Sequence, residues 1–383
     1  MSKKLSIVLA LVMIATMVLS ACAPAATATP APAEPTAAAP VVEPTKAPEP
    51  TAAPVAEPTK AEAPAVEMIK ACQVTDVGGI DDKSFNSTAW KGITDAIEKF
   101  GADKIEGKYL ESQQASDYEV NINSFLTDKC TLIITVGFLL ADATDAAAKA
   151  NPDQKFATID VDYLTHPNLR GSGFAIDQAT FLNGYLAAGM TKTGKVGTYV
   201  GIAFPATTRF MDGFALGVAA YNKVHGTDVK VLGWDVVEGK GLEVGNFEST
   251  DDGRKMAETL MDEGADVIMP VAGPVGLGTL AVMAERKSGL LIGVDNDWSL
   301  ANEANADYVL SSAMKNMDLF VTETIGQVVD GKFEAGNWIG TLDNGGVGLA
   351  YGSKVGANVP AELKAEIEAL IPKIVSGEKL VAI

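Results

Sequence analysis

From about residue 67 onward, short runs of apolar and β-branched residues alternate with longer stretches whose apolar positions recur every three or four residues. The strand-like runs are 69–74, 132–136, 156–159, 173–176, 196–200, 229–236, 267–270, 290–294 and 308–312. The helix-like stretches are 84–100, 116–128, 141–150, 178–190, 207–224, 251–263, 276–285, 317–329 and 360–376. Alternation of this kind predicts an α/β fold with parallel sheets covered by helices on both faces. It occurs in two stretches, one before about Asp177 and one after, and each has strand-to-turn junctions rich in Asp and Gly. The length suffices for two lobes or for one large α/β domain.

Upstream of residue 67 the pattern changes. Lys3 and Lys4 precede an apolar run at 5–19, which ends in Leu19-Ser20-Ala21-Cys22. A basic start, an apolar middle and small residues before a cut mark a secretory signal. The run is shorter than the ~20 residues a membrane-spanning helix needs. Its ending resembles a bacterial lipobox, which implies that 1–21 is a lipoprotein signal peptide and that Cys22 becomes the lipidated first residue. From 23 to 66 the chain is mostly Ala, Pro, Thr and Glu, with Glu-Pro-Thr recurring at Glu34, Glu43, Glu49 and Glu57. Such a composition has no side chains with which to build a core and favours extended polyproline conformations, at up to ~3.1 Å per residue. The expectation is a disordered stalk, 22–66, holding a folded domain away from a bilayer.

The formal charge of −19 makes the chain a poor partner for polyanions, so nucleic acid and anionic lipid surfaces are not expected to bind it. Of the three cysteines, Cys72 and Cys130 each sit at the edge of a strand-like run. An oxidising compartment allows them to pair, but their placement favours two buried free thiols. The two histidines, His166 and His225, leave no His/Cys metal cluster and little material for a Ser-His-Asp triad. No Walker A loop and no strand-associated Gly-x-Gly-x-x-Gly occurs. No cofactor or metal is expected.

Ligands of open parallel sheets bind outside the carboxyl ends of the strands. Those ends carry Asp76-Val77-Gly78-Gly79, Gly137-Phe138, Asp160-Val161-Asp162, Gly201, Ala272-Gly273 and Asp295-Asn296-Asp297. The run from Asp76 to Asn86 is the strongest local signal. Ser84 or Asp82 can cap the helix that follows, which puts Phe85 and Asn86 in its first turn. Phe offers a π-face to a flat ligand, and Asn offers a donor and an acceptor together. Periodicity alone favours the other reading, in which Phe85 and Trp90 are residues of the buried helix face and Asn86 is a cap.

This stretch resembles the opening motif of the basic membrane protein family of lipoproteins, the purine nucleoside receptors of ABC-type importers. The resemblance spans 68–383. It includes Gly137-Phe138, Asn151-Pro152-Asp153 followed by 156–160, and the runs at 181–188, 210–214, 264–268, 292–295 and 311–315. It implies a type I periplasmic-binding-protein-like fold, with two lobes joined by three crossovers. The first lobe is expected from 67–176 and 308–345, and the second from 177–307 and 346–383. It implies that Phe85 stacks on the base, that Asn86 and Asp160 contact the base edge, and that Asp76 completes the first-lobe wall. Asp295, in the second lobe, and Lys315 are implied to hold the ribose hydroxyls, and Gly273 is a further expected ligand-binding residue. Phe247 is the preferred second aromatic, with Phe210 and Trp298 as alternatives. The sequence departs from the family in having Asp177-Gln178 where Glu-Gln is common, and Asn296-Asp297-Trp298 after Asp295.

The implied partners are a nucleoside and an ABC permease, with the lipid on Cys22 as the membrane contact and the protein a monomer. The physical reading agrees. Acceptor-rich, Arg-poor strand ends suit a neutral polyol-bearing ligand rather than a phosphate, which needs a cationic or backbone N–H cradle. Three rivals share parts of this pattern. A sugar-binding protein and a ligand-sensing lipoprotein would have the same fold. A nucleoside hydrolase would use Asp76, Asp81 and Asp82 on calcium, but its additional Asp is replaced here by Val74. The expectation is therefore a binding protein and not an enzyme.

Overall fold

The computed structural model describes residues 68–381. The expected signal peptide, Cys22 and stalk lie outside the described residues.

In chain order the main elements begin with β1 (Ile69–Val74), α1 (Phe85–Phe100), β2 (Ile105–Leu110), α2 (Ser116–Thr127), β3 (Leu132–Val136), α3 (Ala141–Ala150), β4 (Lys155–Ile159) and β5 (Leu169–Phe174). There follow α4 (Ile176–Met190), β6 (Lys195–Val200), α5 (Pro205–His225), β7 (Lys230–Leu232), β8 (Trp234–Asp235), β9 (Lys240–Gly241), α6 (Thr250–Asp262), β10 (Val267–Val271), α7 (Gly276–Arg286) and β11 (Leu290–Asp295). The chain then forms α8 (Trp298–Ala301), β12 (Val309–Lys315), α9 (Met317–Val329), β13 (Gly336–Gly340), β14 (Val347–Tyr351) and α10 (Ala361–Val375).

Two six-stranded sheets result, ordered β13-β5-β4-β3-β1-β2 and β14-β12-β11-β10-β6-β7. All neighbours in both are parallel except β12 and β14. The central strands β3 and β10 are buried along their whole length. Strands covered by helices on both faces read as continuous apolar runs. The chain passes between the sheets three times: after β5, after β12 and between β13 and β14. These three passages form the hinge, and α9 returns to pack on α1 of the first lobe. The backbones of α4 and α5 meet directly. A Cβ on Gly217 would lie 2.0 Å from the carbonyl oxygen of Phe181, so only glycine allows this approach.

The differences from the expected elements have local causes. The edge strands β2 and β13 are half-exposed and polar or Gly-rich, so they carry no apolar run, and β14 is a short, half-buried strand interrupted by Gly348. The expected run 229–236 is broken at Gly233, whose φ of +83° turns the chain out of the sheet. β5 lies at Leu169–Phe174 rather than 173–176, because its sequence Leu-Arg-Gly-Ser-Gly-Phe lacks a β-branched pattern. The boundary expected at 308 is corrected: β12 pairs with β11 and β14, so 309–315 belongs to the second sheet. Trp298 is fully buried in the second-lobe core, where its indole Nε1 donates to the Val294 carbonyl at 2.9 Å, so it offers no stacking surface to the cleft.

Cys72 and Cys130 form a disulfide across 58 residues, which corrects the expectation of free thiols. Cys72 lies in β1 opposite Ile133 of β3, and Cys130 stands just before β3. The pairing of β1 with β3 brings their Cα atoms to 6.1 Å, a proximity invisible in either local run. Replacing both by Ala should lower folding stability by roughly 2–4 kcal/mol, measured by denaturant unfolding. Thiol titration of denatured, unreduced wild-type protein should find both blocked; two reactive thiols there would contradict the pairing.

Candidate functional site

The carboxyl ends of both sheets face a shared cleft enclosing about 560 Å³, mouth included. Its first-lobe wall is set by the loop between β1 and α1. Asp82 caps α1: its carboxylate accepts from the backbone N–H groups of Ser84, Asn86 and Ser87 at 2.9, 2.7 and 3.0 Å. This fixes the first turn and aims Phe85 and Asn86 into the cleft. Asn86 donates through Nδ2 to Asp76 Oδ1 at 2.7 Å, and Gly78 N–H donates to the same oxygen at 3.2 Å. Asn86 Oδ1 is buried without a hydrogen-bond partner. With its amide nitrogen committed to Asp76, this oxygen is available as an acceptor to a donor in the cleft.

Asp160 directly follows β4 and Asp295 is the last residue of β11, and these two strands occupy the same position in their respective sheets. Both residues take left-handed backbone angles, with φ of +65° and +72°. Asp tolerates that region better than most residues, but at a cost. Each lobe thus presents one carboxylate from a matched strand end. Lys315, at the end of β12 in the hinge, donates to Asp160 Oδ2 at 2.6 Å. Its ammonium lies 5.0, 5.2 and 5.6 Å from the ring centroids of Phe85, Phe174 and Phe210. Among the described residues, the only cation lining the cleft is therefore held by one carboxylate and an aromatic cage.

Phe247 rests on Gly201, where a Cβ would lie 2.4 Å from its ring. Phe85 packs beside Gly137, and both rings are half-buried and line the cleft. Gly273, at φ +53°, has open space where a side chain would stand. All eight residues singled out from sequence, Asp76, Phe85, Asn86, Asp160, Phe247, Gly273, Asp295 and Lys315, line this one cleft. Phe210 lines it too but is buried beneath Lys315, whereas Trp90 packs edge-on against Tyr109 and does not line it. Asp81 is exposed while Asp76 and Asp82 are buried, so the three aspartates do not converge on one ion.

Sequence reasoning missed Phe204. Its ring stacks on Phe138 across the lobes at 4.9 Å and 15°, and meets Phe247 edge-on at 6.1 Å. The signal was an aromatic residue directly before the Pro205 that starts α5, at the mouth of a strand-end loop.

Burial dominates the electrostatics. It raises Asp76 and Asp295 to about 6, against the contrary pull of the Asn86 amide and Gly78 N–H in one case and of Lys315 and Ser84 in the other. Burial also raises Asp82 and Asp160, despite their backbone N–H and lysine partners. In the unfolded chain these groups titrate at 3.8. The empty folded protein therefore binds more protons than the unfolded one between about 4 and 6. The stability they contribute is fully present below 3.8 and lost as pH rises through about 6. The melting temperature of ligand-free protein should rise as pH is lowered from above about 7 to about 5, and Asp76→Asn with Asp295→Asn should flatten the slope. A profile that falls over this window would contradict the burial of these groups.

Comparison with known proteins gives a consistent family. Residues 69–381 match the family model described as ABC transporter substrate-binding protein PnrA-like. The ABC transporter nucleoside-binding protein BmpA of Lactococcus lactis is 32% identical over 296 residues, covering 73% of this chain and 81% of that protein. Basic membrane protein A of Borreliella burgdorferi is 31% identical over 324 residues, covering 82% of this chain and 88% of that protein. Among solved structures, an ABC transporter solute-binding protein from Aeropyrum pernix superposes with a TM-score of 0.72 at 26% identity, covering 81% of this chain and 92% of that one.

Proposed function

Because the chain belongs to the family of PnrA-like ABC transporter substrate-binding proteins, a family of binding proteins rather than enzymes, we propose that its cleft captures a purine nucleoside for delivery to a membrane permease. The observation that carries this reading is the combination of an aromatic wall with an unpaired buried acceptor and matched carboxylates. Phe85 and Phe247 supply π-faces for a base, at ~1–3 kcal/mol for a stacked base. Asn86 Oδ1 accepts from a donor on the base edge, such as a ring N–H or exocyclic amine. Asp76 and Asp160 frame that edge. Asp295, with Lys315 behind it and Gly273 leaving room, accepts from the vicinal ribose hydroxyls. Among the described residues, four carboxylates with buried side chains and one ammonium line the cleft, which disfavours a phosphorylated ligand. The similarity to a protein named for nucleoside binding supports the same class.

We further propose that the mature protein is tethered through a lipid on Cys22 and acts as a monomer outside the cytoplasm. In a fractionated cell, Cys22→Ser should move the protein from the membrane to the soluble fraction; retention of both lipid and membrane association by the variant would refute the tether.

Calorimetry on purified protein against nucleosides, nucleoside monophosphates and free sugars tests the ligand class. Purine nucleosides should bind, with monophosphates and pentoses much weaker. Asp295→Ala should cost roughly 2–4 kcal/mol of nucleoside affinity. Asn86→Ala should alter the ranking among inosine, guanosine and adenosine, whereas Phe85→Ala should weaken all three about equally, because every base offers a π-face. Binding of pentoses or hexoses alone would replace this reading with a sugar-binding one.

A further inference from the structure

Ser84 stands at the N-cap position of α1 but makes no capping hydrogen bond. A serine there ordinarily spends its oxygen on the helix's own N–H groups. Here Asp82 has taken that role, and the Ser84 hydroxyl is turned to the opposite lobe. It donates to Asp295 Oδ2 at 2.7 Å and lies 3.3 Å from the Val294 carbonyl oxygen. Ser84 is fully buried and Asp295 nearly so. Next to this contact, Asn296 Nδ2 donates to the Lys83 carbonyl at 3.0 Å, and Lys83 holds a left-handed φ of +54°. Two consecutive residues of the first-lobe loop are thus tied to two consecutive residues at the end of β11. Neither bond survives separation of the lobes.

We propose that Ser84 is the positioning residue that couples closure of the lobes to recognition of the ligand's hydroxyls. It holds one oxygen of Asp295 and turns the carboxylate so that the other, Oδ1, faces the ligand. The contact exists only in the closed form, so the group that grips the sugar is oriented by the same motion that encloses it. This rests on the reading of Asp295 as the hydroxyl-binding carboxylate. A bond present in one of two conformations shifts the balance between them by its own free energy, whether or not ligand is bound. Loss of the hydroxyl therefore opens the empty protein and speeds release from the loaded one.

The test uses Ser84→Ala, with Ser84→Cys as an isosteric variant carrying a weak donor. Stopped-flow release of inosine should accelerate roughly tenfold in Ser84→Ala, as expected for one lost hydrogen bond to a charged group, with association nearly unchanged and Ser84→Cys intermediate. In an Asp295→Ala background, Ser84→Ala should have no further effect on release. A purely structural role for Ser84 would instead add the same factor in both backgrounds, and that result overturns the proposal. The ligand-free arm is independent of the ligand assignment. Interlobe distances measured by paired spin labels should shift toward the open form in Ser84→Ala, and identical distributions for variant and wild type overturn the latch even if no nucleoside binds. Failure of wild-type protein to bind any nucleoside, with the distance shift intact, would refute the ligand class and leave the latch standing.

Discussion

The burial of four carboxylates around a single ammonium, in the space between two lobes, is the constraint on which this structure depends. Asp76, Asp82, Asp160 and Asp295 are all removed from bulk water, and among the described residues lining the cleft only Lys315 carries compensating charge. Burying charge without full compensation is costly. Each carboxylate is therefore furnished with donors: backbone N–H groups for Asp82, the Asn86 amide for Asp76, the lysine for Asp160, and a hydroxyl from the other lobe for Asp295. What remains unfilled is the inventory of acceptors that a ligand rich in O–H and N–H groups would satisfy. The fold's stability in the closed, empty form is thereby held below what it becomes when such a ligand enters.

The two sheets make this arrangement possible because they are near repeats of one another in strand order. β4 and β11 hold equivalent positions, and each ends in an aspartate with a left-handed backbone. β3 and β10 likewise run into single 3-10 turns, Phe138–Leu140 and Gly273–Val275. The site is built from corresponding corners of two similar frames facing each other. Three chain passages at the hinge let those corners approach, and Lys315 sits on one of the passages. Its cage of Phe85, Phe174 and Phe210 connects the hinge to the ring proposed to stack on the base.

Much of this was legible in the chain because parallel central strands are apolar along their length and ligand sites lie at their carboxyl ends. The strands ending in Asp76, Asp160 and Asp295 were visible on those grounds, and the resemblance of the 76–86 run to a known motif added Phe85 and Asn86. What escaped reading was whatever depends on contact between distant segments. The edge strands β2 and β13 carry little apolar signal, since one flank of each lacks a partner strand. The Cys72–Cys130 bond needs the pairing of β1 with β3. Trp298 reads as a cleft aromatic from its position after Asp295, but the first turn of α8 directs it into the second-lobe core. The diversion of Ser84 from capping to Asp295 has no local signature, because both Ser84 and Asp82 are competent caps and only the approach of the second lobe decides between them.

The central claim is that a neutral, hydroxyl-bearing ligand satisfies buried carboxylates, of which Asp76 and Asp295 titrate at about 6 while the cleft is empty. A ligand donating hydrogen bonds to Asp295 favours its charged form, so binding near pH 6, where the empty-state group titrates, must expel protons. Calorimetry of nucleoside binding in buffers of different ionisation enthalpy measures this directly. The account predicts net proton release near pH 6 that fades toward about pH 8. Proton uptake, or binding with no linked proton at either pH, would contradict it.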